Sequence, residues 1–267
     1  MPRYLLSIFL LLQAFVVFGV EGLFYAGAQN KAMANANINS SNVWANFYNQ
    51  AGLANAEFPE VGVYSERRFL ENVFSQHSLG LVLPANKAAF GISASRFGSN
   101  IYSENKLGLA LAKKLGNYIS AGLQFNYHFN NIKETEPTGN FLIEGGLMST
   151  IDNLKVGIHL FNPTNARIDK NFEERIPVIL TAGASYYLEP LTLALALQQE
   201  AGQQHSVRTG LNYLVREQIS LQLGYASNPN QLAFGIGYAV AVWHFNVSFT
   251  NNNPIGLTPQ ASISYGF

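Results

Sequence analysis

The side chains of this sequence that could carry chemistry are five histidines, a His-Ser dipeptide and a carboxylate with cations spread along the chain around it. His77, His128, His159, His205 and His244 fall in five different segments. None stands two or four positions from another, so no imidazole pair is spaced to chelate a metal. His205-Ser206 could mean nucleophilic catalysis, but neighbours on a strand point to opposite faces, and no nucleophile elbow frames the serine. Gly235-Ile236-Gly237 is followed by no helix start, so it is a strand fragment and not a phosphate loop. Glu144, His159, Lys155 and Arg208 share a polar face in the pattern below. There they are expected to pair with one another inside a narrow polar space. No enzyme, cofactor or metal is expected.

The elements that must position these residues are strands. From Phe58 to the end the sequence alternates with period two. Leu191, Leu193, Leu195 and Leu197 oppose Thr192, Ala194, Ala196 and Gln198. Ile119 to Phe129 and Trp243 to Phe249 repeat the pattern. Fourteen such segments are expected near 58–68, 76–84, 88–97, 105–114, 118–130, 139–149, 154–162, 176–187, 191–199, 205–215, 218–226, 231–239, 242–250 and 258–267. Each is long enough for a tilted strand to cross a bilayer core, which takes about 9–11 residues. Connections after even-numbered segments are tight. Most of those after odd-numbered ones are longer and more polar, although those after the ninth and eleventh are short. That is the asymmetry of transmembrane barrels, with both termini on the periplasmic side.

Composition agrees. The chain has 267 residues, no cysteine, 16 basic and 16 acidic residues, 12% charged and 13% aromatic residues. The absence of cysteine excludes disulfides and thiolate metal sites. Zero net charge argues against a nucleic-acid partner. A soluble sandwich would also alternate, but its exposed face would carry more Lys, Glu and Thr. Here the polar face is Gly, Ser, Ala, Asn and Gln, which suits a lumen. Leu193, Leu195, Leu221, Trp243 and Phe245 are expected to face lipid. The fold expected is therefore all-β: an outer-membrane antiparallel β-barrel of about fourteen strands over residues 58–267.

Residues 1–22 read as a signal peptide, with Arg3 before an apolar run and small residues for cleavage after Gly22 or Ala28. The alternative, a membrane anchor, has too short an apolar run. Ile263, Tyr265 and Phe267 end the chain on an amphipathic strand. They are expected to be the signal read by the barrel-assembly machinery. Arg167 to Arg175 reads as a solvated outer loop. Of Arg67 and Arg68, beside Glu66, at least one is expected to reach the headgroup level.

Residues 23–57 differ from the rest, being rich in Ala and Asn. They are too few to fold as a separate domain. A disordered tail is one reading, but Trp44, Phe47 and Tyr48 argue for a packed segment. A fourteen-stranded barrel is too wide for its wall side chains to fill. A hatch made from this segment would fill it. Asn42, Asn46 and Asn49 would then bond to lining groups such as Gln124, Asn126 and Asn246, with Trp44, Phe47 and Leu53 filling the remaining space.

Gly27-Ala-Gln-Asn-Lys-Ala-Met33-Ala-Asn-Ala36, Ser41-Asn-Val-Trp44 and Asn49-Gln50-Ala51-Gly52-Leu53-Ala54 resemble the hatch of the FadL-type outer-membrane transporter superfamily. Tyr64 to Phe69 and Gly256 to Phe267 resemble its PorV/PorQ-like branch. Gln50 stands where that family's Asn-Pro-Ala box has proline. The resemblance implies a hatch inside the barrel and either of two roles. One is passage or binding of a small hydrophobic ligand. The other is docking of a secreted protein in a type IX-like system. The chain is shorter than the fatty-acid transporters, and its outer loops look too small for their capture groove.

Overall fold

A computed structural model describes residues 24–167, 175–252 and 255–267. The expected signal peptide and most of the charged stretch between Arg167 and Arg175 lie outside the described residues. The fourteen strands are β1 (Glu60–Arg67), β2 (Ser75–Ala85), β3 (Ala88–Gly98), β4 (Tyr102–Lys114), β5 (Ile119–Ile132), β6 (Thr138–Ile151) and β7 (Leu154–Phe161), then β8 (Ile179–Leu188), β9 (Leu191–Glu200), β10 (Ser206–Arg216), β11 (Ile219–Ala226), β12 (Gln231–Val240), β13 (Trp243–Asn252) and β14 (Gly256–Gly266). Each pairs antiparallel with its sequence neighbours. β1 pairs with β14, Val63 opposite Ile263, so the sheet closes and leaves no edge.

Every expected segment is a strand. β8 starts at Ile179 and not at 176, because Pro177 cannot donate to the ladder. Turns 86–87, 152–153, 189–190, 217–218 and 241–242 are tight. Asn86 and Asp152 open two of them in the left-handed region, at φ 54° and 48°, which short polar side chains tolerate.

The two faces separate cleanly. On β5, Phe125 is 58% exposed while Gln124 and Asn126 are buried. On β9, Leu193, Leu195 and Leu197 are exposed, and Ala194 and Ala196 are buried. Leu221, Trp243 and Phe245 also stand on the exposed face. An apolar belt therefore runs around the outside, and the polar residues turn inward. A water-soluble domain does the reverse. No helix among the described residues is long and apolar enough to cross a membrane.

Candidate functional site

Between Phe24 and Ala54 only Gln29, Asn37, Ser41 and Asn42 are partly exposed; the rest is buried. The segment has no strand of its own. It makes a short helix α1 (Ala28–Ala32) and 3-10 turns at Val43–Phe47 and Gln50–Asn55. Asparagines start both turns. Asn42 Oδ1 accepts from Trp44 N at 3.2 Å, and Asn49 Oδ1 accepts from Ala51 N at 3.1 Å. These are N-cap bonds, which satisfy amides that the turn itself leaves open. Trp44, Phe47, Tyr48 and Leu53 belong to one apolar cluster with Tyr64, Leu142 and Phe161 of the wall.

The segment is tied to inward-facing groups of the strands on every side. Tyr25 Oη donates to Gln198 Oε1 at 2.7 Å, and Ala28 N donates to Ser262 Oγ at 3.0 Å. Val43 N donates to Glu60 Oε2 at 2.9 Å. Asn39 Nδ2 reaches the carbonyls of Lys155 and Gly183, each at 3.3 Å. Asn46 Nδ2 reaches Leu81 O at 3.2 Å, and Asn49 Nδ2 reaches Leu147 O at 3.1 Å. The expected partners of these asparagines, Gln124, Asn126 and Asn246, are buried, but the bonds go to strand carbonyls instead. Asn42 bonds within the segment.

Glycines explain this difference, and they are the residues the sequence reading did not single out. A Cβ at Gly91 would lie 2.1 Å from Asn46 Oδ1, one at Gly146 2.5 Å from Asn49 Oδ1, and one at Gly157 2.2 Å from Asn39 Oδ1. At Gly122 it would lie 2.3 Å from the carbonyl carbon of Gln50, and at Gly224 2.4 Å from Ala34 N. Gly62, Gly80 and Gly210 meet Trp44, Val43 and Met33 in the same way. The wall therefore has a belt of bare backbone where the segment lies against it. The signal was present: glycine inside a strand often marks the close approach of another chain segment.

The inward charges are matched in small groups. Glu144 Oε1 accepts from Lys106 Nζ at 3.0 Å, Gln124 Nε2 at 3.0 Å and Asn126 Nδ2 at 2.9 Å; its Oε2 is 3.2 Å from His159 Nε2. His159 thus meets Glu144 as expected. Lys155 and Arg208 do not, because the register directs them elsewhere. Lys155 Nζ donates to Ser41 Oγ at 2.9 Å. Arg208 lies four strands from Glu144, donates to Ser206 Oγ at 3.3 Å and covers the Tyr25 ring at 5.5 Å. Glu66 faces inward too. It bonds Tyr64 Oη at 2.6 Å and Arg68 Nε at 2.7 Å, and pairs with Lys31 Nζ of the segment at 3.2 Å. Arg67 is exposed.

His205 is exposed and Ser206 buried, on opposite faces. No group of three or more His, Asp or Glu residues that could hold a metal ion occurs among the described residues. At the chain end, Ile263 and Phe267 are exposed, and the Tyr265 ring lies 4.6 Å from that of Trp243. Phe267 N donates to Pro59 O at 2.9 Å.

These features define a class by fold: a closed fourteen-stranded antiparallel barrel, apolar outside and polar within. Solved structures of that fold are similar along nearly the whole chain. The toluene transporter TodX of Pseudomonas putida superposes with a TM-score of 0.67 at 12% identity, over 92% of this chain and 99% of that one. A Pseudomonas aeruginosa FadL homologue gives 0.67 at 10% identity, over 91% and 98%. The CymD monoaromatic hydrocarbon channel gives 0.66 at 13% identity, over 92% and 98%. No family model and no curated protein matches the sequence.

Proposed function

We propose that this chain is a FadL-type outer-membrane channel that binds or passes a small hydrophobic molecule, with residues 23–57 as its hatch. The observation that carries the reading is the bonding of the Phe24–Ala54 segment to inward groups of the barrel. The likeness in fold to a toluene transporter and a monoaromatic hydrocarbon channel supports it. The apolar outer belt supports placement in lipid, because exposed apolar surface of this extent is not stable in water. The odd–even asymmetry of the turns supports periplasmic termini. The chemistry assigned is passage and not catalysis.

In this reading Asn42, Trp44, Asn46, Phe47, Asn49, Gln50, Ala51, Gly52 and Leu53 form the gating part. Gln124, Asn126, Glu144, His159, Arg208 and Asn246 line the path. Cleavage after Gly22 fits better than cleavage after Ala28, since it keeps the Tyr25 contacts. Ile263, Tyr265 and Phe267 serve the assembly machinery, and deleting Phe267 should lower the amount of barrel in the outer membrane. The PorV/PorQ branch and the secreted-protein role rest on the resemblance of the segment, of Tyr64 to Phe69 and of Gly256 to Phe267 alone.

The test is deletion of 28–54 with the signal peptide kept. Planar-bilayer recordings should then show a closed barrel become a conducting one. A folded deletion barrel with unchanged conductance would remove the hatch from the proposal.

A further inference from the structure

Lys31 is the only basic residue between Phe24 and Glu57. It lies in α1, its side chain is 10% exposed, and its Nζ is 3.2 Å from Glu66 Oε2, whose side chain is 1% exposed. The same carboxylate holds Arg68 Nε at 2.7 Å and Tyr64 Oη at 2.6 Å. Arg68 also donates to Gln76 Oε1 at 3.3 Å, and its guanidinium covers the Phe97 ring at 4.7 Å, at the end of β1 away from Phe267. Gln76 Nε2 in turn donates to Tyr25 O at 3.0 Å. One wall carboxylate is thus shared by a cation of the turn after β1 and a cation of the segment.

From this sharing we infer that Lys31 and Glu66 form a releasable latch of the hatch, and that Arg68 makes release possible. This rests on the hatch reading above. A buried carboxylate that loses its sole cation is left uncompensated, at a cost that would weld the segment shut. Glu66 does not lose its sole cation. When α1 moves, Arg68 and Tyr64 stay on the carboxylate, and the Lys31 ammonium moves into water. The wall side of the latch is already paired in the open state. Two substitutions should therefore act in opposite directions. Removing Lys31 takes away the closed-state pairing and favours the open state. Removing Arg68 leaves Lys31 as the only cation on Glu66 and favours the closed state. A merely structural role for Arg68 would loosen the segment instead.

The chain has no cysteine, so Asn30→Cys in α1, at a buried position, gives a single thiol whose labelling by a small maleimide reports movement of the segment. In that background Lys31→Met should label at least about tenfold faster, the shift that ~1.4 kcal/mol of lost pairing produces. Lys31→Arg should label at the parent rate, and Arg68→Met more slowly. If Lys31→Met does not fold, Lys31→Gln gives the same readout. An unchanged rate in a folded Lys31→Met barrel overturns the latch, while conduction by the 28–54 deletion leaves the hatch standing. Faster labelling of Arg68→Met overturns the part given to Arg68. A deletion barrel that stays closed removes the hatch reading on which both depend.

Discussion

Glu66 and Glu144 are two buried carboxylates in one lumen, and each is held by several donors. They differ in where the donors come from. Every partner of Glu144 is on the wall: Lys106 on β4, Gln124 and Asn126 on β5, His159 on β7. Glu66 draws one cation from the turn that follows its own strand and one from the segment. The first arrangement cross-links four adjacent strands and has no part that can leave. The second joins two bodies that the chain connects only through residues 55–59. Burial alone therefore does not distinguish a brace from a fastening; the origin of the partner does.

The largest effect expected is at the brace. Glu144→Gln leaves the Lys106 ammonium buried without its carboxylate, which costs about 3–5 kcal/mol. Denaturant unfolding of the barrel in lipid vesicles should show that loss. A loss no larger than that from an exposed charge would mean that the two carboxylates are not different in kind. Next comes the outer belt. Leu195→Arg or Phe245→Arg should cost about 2–4 kcal/mol in the same assay, and Ser220→Arg on the inner face less. Equal costs would contradict the facing assigned from the burial pattern.

Gly122→Ala sharpens the contrast between wall and segment. Its Cβ would strike the Gln50–Ala51 backbone, so it should cost roughly 1–3 kcal/mol in the whole chain. In the 28–54 deletion the same substitution should be close to neutral. A persistent cost there would place the strain within the sheet. The smallest effect is at the turns. Asn42→Ala removes an N-cap that bonds only within the segment and should lower stability by about 1 kcal/mol, read as a small shift in the unfolding midpoint.

The strands were legible because a barrel wall meets two different environments on alternate residues, and the sequence records both. Closure of β1 on β14 followed from the even count and the short turns. That the N-terminal segment packs was legible from Trp44, Phe47 and Tyr48, which a solvated tail does not need. Its bonding partners were not. Asn46 and Asn49 reach strand carbonyls, and a carbonyl is present at every residue, so no side-chain pattern marks which one is used. Interior glycines at Gly91, Gly122 and Gly146 were the available clue. Glu66 was grouped with the rim arginines, although it shares parity with Gly62 and Tyr64 and so had to face inward. Lys106 escaped notice because its meeting with Glu144 depends on register across three strands, which alternation alone does not supply.

The asparagine bonds to bare backbone have a consequence for how such a protein can diversify. Where docking depends on main-chain carbonyls and missing side chains, it does not depend on the identity of the lining. Gln124, Asn126 and Asn246 form none of the bonds that seat the segment; the first two hold Glu144, which leaves Asn246 free to drift. The polarity of the lumen at such a position can then change while the seat stays as it is. At such positions seat and lining are written in separate sets of residues, and a designer could alter one without having to rebuild the other.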